Sequence, residues 1–334
     1  MPELELSFAT GQYDRVEPLI AGEVKPQGIT LHFSPVAGPD IFYRQLKFSQ
    51  FDVSEMSFSS FLMARARGWG YQALPVFNHR MFEYTRLLIR KDSGIERPED
   101  LKGKRIGTGD YQQTAALWLR GQLQHEFGVK PTDMEWFMGR SPRYSHMGAV
   151  GGFKLQPGLK LSHATKDLGT MLLNGELEAA HYQFGAAIDR ATADLTHHPS
   201  VRYLFPDRMT EAIRYYKKNG FFPAHHLTVV RESILKKHPW VAISLYEAFE
   251  KAKALAIEKL RQANRLSLIL FADQWLKAQR EVFGDDPYRY GLKANAKMVD
   301  TLQTYSVEQG LTERKLPLEE LFAEEILIAE DKAS

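Results

Sequence analysis

The 334-residue sequence contains no cysteine, which excludes disulfides, thiolate metal sites and thiol nucleophiles. Any chemistry has to come from other side chains. Nor does one sign of charge dominate: 43 Lys and Arg stand against 41 Asp and Glu, a formal net charge of +2, and the two signs are interleaved rather than gathered in blocks. So mild a balance gives no reason to expect a nucleic-acid partner, and a small anionic ligand fits better. No apolar run reaches membrane-spanning length, and Glu3 and Glu5 stand where a secretory leader needs a basic segment followed by an apolar one. The expectation is a cytoplasmic chain with no membrane partner.

What is present is an ordinary globular balance, 44% hydrophobic and 25% charged, on a length that suggests about two domains. Leu4 to Phe8 and Ile29 to Phe33 alternate apolar and polar residues and read as strands. Phe51 to Met56 reads as another, followed by Ser57 as the N-cap of a helix that carries Phe58, Phe61 and Leu62. Arg86 to Arg90 is a further strand, and the turn-rich Lys91-Asp92-Ser93-Gly94 reads as the first crossing into a second lobe. Leu101 to Gly109 then starts a new strand and loop, with Asp110 and Gln113 spaced as a capping box for a helix ending near Gly128. Gly139 to Pro157 reads as a long loop, Leu168 to Leu177 as a helix and Ala179 to Phe184 as a strand. Phe221 to Arg231 is an extended apolar run suited to a strand returning to the first lobe, and helices dominate from Pro239 onward. Alternating strands and helices without an internal repeat predict parallel sheets covered on both faces.

Five segments, in order and at their spacing, resemble the 4,5-dihydroxyphthalate decarboxylase family. They are Gly11-Gln12-Tyr13-Asp14-Arg15, the run Glu55 to Arg65 beginning Glu-Met-Ser-Phe-Ser-Ser, the run Pro75 to Phe82 containing Asn78-His79-Arg80, the run Tyr111 to Trp118 beginning Tyr-Gln-Gln-Thr, and Phe221-Phe222-Pro223-Ala224-His225-His226. Tyr288 to Leu292 and Asn295 extend the likeness toward the C-terminus. The resemblance implies an α/β, two-lobed, type II periplasmic-binding-protein-like fold with a ligand cleft between the lobes. Lobe 1 would comprise residues 1–90 and 222–334, and lobe 2 would be the inserted residues 91–221. Two departures bear on specificity: Ala224-His225 replaces an expected larger apolar pair, and His181-Tyr182-Gln183-Phe184 is polar and aromatic for its place.

The activity implied is non-oxidative decarboxylation of a hydroxylated aromatic dicarboxylate to a dihydroxybenzoate and CO2, the small aromatic carboxylate being the partner. A benzene dicarboxylate needs cationic donors and apolar faces. Arg15 and Arg80, with the helix starts at Ser57 and Asp110, are the expected carboxylate contacts. His226 matches the family's histidine and is the expected proton donor. Glu55 is either the base for a ring hydroxyl or a cap on local backbone groups. Asp14, Ser59, His79, Tyr111, Gln112, Thr114, His181 and His225 complete the expected substrate wall. No cofactor is required by these steps, and no compact metal-ligand spacing occurs, although Glu55, Asp14, His79 and His181 could join one histidine of the 225–226 pair around a divalent ion. Two other readings stay open: a binding protein or sensor for an aromatic acid, and a lyase resembling the chorismate dehydratases. A homo-oligomer is compatible with any of them.

Overall fold

The computed structural model describes residues 3–145, 154–181, 193–262 and 268–332. Two sheets organise the chain. The first contains β1 (Leu4–Ala9), β2 (Ile29–Phe33), β3 (Val53–Ser57), β4 (Tyr71–Arg80) and, from much later in the chain, β11 (Ala224–Arg231), in the order β2-β1-β3-β11-β4. The second contains β5 (Leu88–Arg90), β6 (Arg105–Thr108), β7 (Glu135–Met138), β8 (Lys160–His163), β9 (Ala179–His181) and β10 (Val201–Tyr203), in the order β10-β5-β9-β6-β7-β8.

Within the first sheet β1 runs parallel to β2 and β3, while β11 is antiparallel to both β3 and β4. All five residues of β3 are buried, as expected of a strand covered on both faces. Pro75, which cannot donate to a ladder, is tolerated because β4 is an edge strand, and its free carbonyl accepts from Gly291 N–H at 2.9 Å.

β5 corrects one sequence expectation. Its strand was assigned to lobe 1, but it pairs with β9 and β10 of the second sheet, so the chain crosses over residues 81–87 rather than at Lys91 to Gly94. Residues 204–223 carry it back. The expected helices form at Phe58–Arg65, Thr114–Phe127 and Trp240–Arg261, with Gly128 ending the second in the left-handed conformation that favours glycine. That at Leu168 is shorter than expected, Leu168–Leu173, and residues 146–153 and 182–184 of the expected loop and strand lie outside the described residues.

The C-terminal region does more than cover lobe 1. Helix Ala296–Glu308 packs on helix Thr114–Phe127, which follows β6 of the second sheet. The approach is close because residue 121 is glycine: a Cβ there would come within 2.0 Å of the Tyr305 ring.

Candidate active site

Strand pairing puts three polar side chains in a row. His226 on β11 lies in register with Ser57 on β3 and with His79 on β4. The β11–β4 ladder is irregular on both sides of His226, and such irregularities re-aim side chains. The imidazoles of His79 and His226 stack at 5.0 Å with an interplanar angle of 29°, and Phe42 meets His226 edge-on at 4.7 Å.

Glu55, two residues before Ser57 on the same face of β3, is 1% exposed and saturated with donors. Its Oε1 accepts from His226 Nδ1 at 2.5 Å and from Tyr13 O–H at 2.7 Å. Its Oε2 accepts from Gly11 N–H at 2.6 Å and from Thr10 Oγ1–H at 3.1 Å. Burial opposes ionisation, but the His226 hydrogen bond and charge, with the Gly11 and Tyr13 donors, outweigh it and hold the carboxyl at about 2. Of the two roles expected for Glu55, the geometry gives it an acceptor role toward protein groups. His226 Nε2 has no protein partner among the described residues, so a donor-locked Nδ1 leaves Nε2 for the cleft.

Behind this row lies a second buried carboxylate, Glu83, in the crossing between the sheets. His181 Nε2 is 2.9 Å from its Oε2, and His225 Nδ1 is 3.5 Å from its Oε1. Burial is the largest influence on Glu83, yet the His181 hydrogen bond and the charges of His181, His225 and Arg86 overcome it and its carboxyl is lowered well below the usual range. His225 also approaches the Met81 carbonyl through Nε2 at 3.2 Å, and burial pushes its imidazole well below the ordinary histidine value.

The opposite wall is the start of helix Thr114–Phe127, where Gln113, Thr114 and Ala115 line the cleft together with Arg140. Gln113 is the N-cap. Asp110, instead of capping, is fully buried and accepts from Gln112 Nε2–H at 2.9 Å, Ser145 O–H at 3.0 Å and Arg140 at 3.4 Å. The two walls meet at the floor, where Thr114 Oγ1 lies 2.9 Å from Ser57 Oγ and accepts from Ser59 N–H at 3.0 Å, while Ser59 O–H donates to the Gln112 carbonyl. The cavity is about 510 Å³, the size of a small-ligand pocket. Arg86 enters it from the crossing segment. Its guanidinium meets the Met81 sulfur, a weak acceptor, and no carboxylate lies within ion-pair distance of it among the described residues.

Of the expected contacts, Ser57, His79, Thr114 and His226 line this cavity, with Glu55 directly behind His226. The others lie elsewhere. Ser59 and Gln112 are spent at the floor, His181 and His225 on Glu83, and Tyr111 is buried with Arg120 stacked on its ring at 3.7 Å. Arg15 is held between the rings of Tyr13 and Tyr288, at 4.4 and 4.1 Å, and donates to the Asn78 carbonyl; with the exposed Asp14 it borders a separate cavity of about 300 Å³.

Arg80 is turned toward lobe 1, donating to the carbonyls of Phe222 at 2.6 Å and Arg289 at 2.7 Å and to Asn295 Oδ1 at 2.6 Å. It ties β4 to the C-terminal segment and lines, with Met81 and Arg86, a neighbouring cavity of about 550 Å³ rather than the one that His226 lines. Arg80→Met should therefore lower stability by about 3 kcal/mol, the scale of a few lost charge-assisted hydrogen bonds, and leave substrate affinity nearly unchanged in the folded fraction. Denaturant titration alongside ligand binding checks this; a large loss of affinity without loss of stability would contradict it.

Arg86, Arg140, Phe42 and Met81 were not anticipated from the sequence. Arg140 had a usable signal, since it follows the C-terminal end of β7 within a parallel part of the sheet, where ligands of α/β folds gather. Arg86 had none, being one arginine in a run read as a strand.

Two α/β sheets joined by a crossing in each direction, with a small-molecule cavity between them, define the class of periplasmic-binding-protein-like folds. Comparison with solved structures agrees: the periplasmic aliphatic sulphonate binding protein SsuA from Escherichia coli superposes with a TM-score of 0.53 at 14% identity, covering 98% of this chain and 100% of that one. A family profile described as the periplasmic phosphonate substrate-binding protein of an ABC transporter matches residues 12–151. Among characterised relatives, 4,5-dihydroxyphthalate decarboxylase of Comamonas testosteroni is 35% identical over 327 residues, 96% of this chain and 97% of the relative. The enzyme of the same name from Pseudomonas putida is 37% identical over 221 residues, 65% of this chain and 83% of the relative. The chain belongs to the 4,5-dihydroxyphthalate decarboxylase family. No helix among the described residues is long and apolar enough to cross a membrane.

Proposed function

We propose that the protein is a carboxy-lyase that removes one carboxylate, without oxidation, from 4,5-dihydroxyphthalate or a closely similar hydroxylated benzene dicarboxylate, giving a dihydroxybenzoate such as protocatechuate and CO2. The observation that carries this reading is the pairing, in one cavity, of Arg86, a cation with no carboxylate within ion-pair distance among the described residues, with a histidine backed by a buried carboxylate, His226. The first suits a substrate carboxylate and the second a proton transfer.

The proton goes from His226 to the ring carbon that bears the departing group. The carbon–carboxylate bond then breaks, its electron pair returns to the ring, and CO2 leaves neutral. When His226 carries its second proton, the Glu55 carboxylate balances that charge. A cation gripping the departing carboxylate would stabilise the ground state and oppose CO2 formation, so Arg86 is assigned to the carboxylate that stays. The departing one belongs near Phe42 and Met81, on the apolar part of the wall.

Incubating the protein with 4,5-dihydroxyphthalate while following CO2 and the ultraviolet spectrum tests the reading. Tight binding with no CO2 would instead support a sensor, and loss of water a dehydratase. Arg86→Met should raise the dissociation constant about 10- to 100-fold, the scale of a hydrogen-bonded charge contact, with little change in kcat, because the contact exists both before and during reaction. Calorimetric titration with steady-state kinetics separates the two effects.

A further inference from the structure

We propose that His79 is the general base that takes the proton of the ring hydroxyl para to the departing carboxylate, so that a para hydroxyl is obligatory for turnover. The assignment rests on the decarboxylase reading above and deepens it by naming the ring substituent the site requires.

Two histidines line the cavity and two lie behind it, and three of the four are committed to protein acceptors: His226 to Glu55, His181 to Glu83, and His225 to Glu83 and the Met81 carbonyl. His79 differs. Among the described residues neither of its ring nitrogens has a hydrogen-bond partner, and its Nδ1 is buried, although buried polar nitrogens are almost always satisfied. It lines the cavity, stacked beside His226 on the neighbouring strand. The buried Nδ1 is out of a ligand's reach, so Nε2 is the nitrogen left for the cavity, and a ligand hydroxyl there supplies its partner.

The other bases within reach are already used. Glu55 accepts from four protein donors, and Tyr13 spends its proton on Glu55 while burial and that carboxylate raise its phenol far above the usual range. The groups that face His79 are His225 and His226 on β11, Glu55 on β3, Glu83 in the crossing segment, and Tyr13 and Arg15 from the N-terminal loop. Burial and the charge of His226, which outweigh the two glutamates, hold His79 at about 4. It is therefore an acceptor at neutral pH. Two events strengthen it as a base: the bound dicarboxylate adds negative charge, and His226 loses its positive charge at the moment it protonates the ring.

The step balances without a redox partner. His79 takes the hydroxyl proton, leaving a phenolate whose electrons make the para carbon nucleophilic. That carbon takes a proton from His226, CO2 departs, and the phenolate of the product recovers its proton from His79. One proton from water restores His226, matching the proton that replaces the carboxylate on carbon.

The test compares the pH dependence of kcat for the wild type, His79→Gln and His226→Asn, with 4,5-dihydroxyphthalate and with a ring-fluorinated analogue whose hydroxyls are more acidic. At pH 7 His79→Gln should lose about 100-fold or more in kcat. Its deficit should narrow by about tenfold per pH unit as solvent ionises the hydroxyl, and should be smaller with the fluorinated substrate; the deficit of His226→Asn should show neither trend. Free imidazole should restore turnover to His79→Ala, which serves as the second variant if the glutamine chain does not fold. A His79→Gln deficit that is constant across pH and across both substrates, or no deficit, would overturn the assignment. Failure of the wild type to release CO2 from either substrate would overturn the decarboxylase reading, and the assignment with it.

Discussion

His226→Asn is expected to release CO2 at least about a hundredfold more slowly than the wild type, while its affinity for the dicarboxylate changes by less than about threefold. The asparagine can keep the hydrogen bond to Glu55 through its amide but has no proton to give to carbon. The attraction that holds substrate is assigned to Arg86, on the crossing segment, and is untouched by the change. Single-turnover CO2 release measured beside equilibrium binding reads both quantities. A variant that turns over normally would remove His226 from the chemistry, and one that loses binding and turnover together would make it a recognition residue.

The second large effect is expected from Glu55→Gln. Four donors converge on its two oxygens, and an amide in its place turns one acceptor into a donor facing other donors. His226 loses both its orientation and the negative charge that balances its imidazolium, for which a loss of about 100-fold in kcat is expected. Melting temperature should fall as well, since a buried donor left unpaired costs about 1–3 kcal/mol. To separate catalysis from stability, the double variant Glu55→Gln with His226→Asn should be no slower than His226→Asn alone, because a residue that acts through another has nothing left to act on. Additive losses would show that Glu55 has an independent role and that its assignment as a positioning residue is wrong.

The sequence revealed element types well and side-chain destinations unevenly. Alternation in Leu4 to Phe8, the strand-like run before Ser57 and the glycine at 128 report on the backbone directly, and each matched the element formed. His226 and Glu55 were legible because a motif marked them, and their partnership followed once β3 and β11 were neighbours. The arginines were not. A guanidinium serves a backbone carbonyl as readily as a carboxylate, and the partners of Arg80 lie 142 to 215 positions away, so nothing local to Asn78-His79-Arg80 distinguishes a tie between segments from a ligand clamp. Arg86 presents the reverse difficulty: the role proposed for it rests on there being no carboxylate within ion-pair distance among the described residues, a property of the folded neighbourhood. Glu83 was passed over because a lone glutamate in a polar stretch is ordinarily solvent-facing. Here His181 and His225 make its 1% exposure tolerable.

That carboxylate has a mechanical consequence. One oxygen of Glu83 holds a histidine of the second sheet and the other faces a histidine of the first, next in sequence to His226. Swinging the lobes apart about residues 81–87 would pull the two histidines away from a charge that cannot be left alone in the interior. The joint therefore resists hinge motion that does not carry β11 along with it. Any change in the angle between the lobes therefore bears on the strand that carries His226.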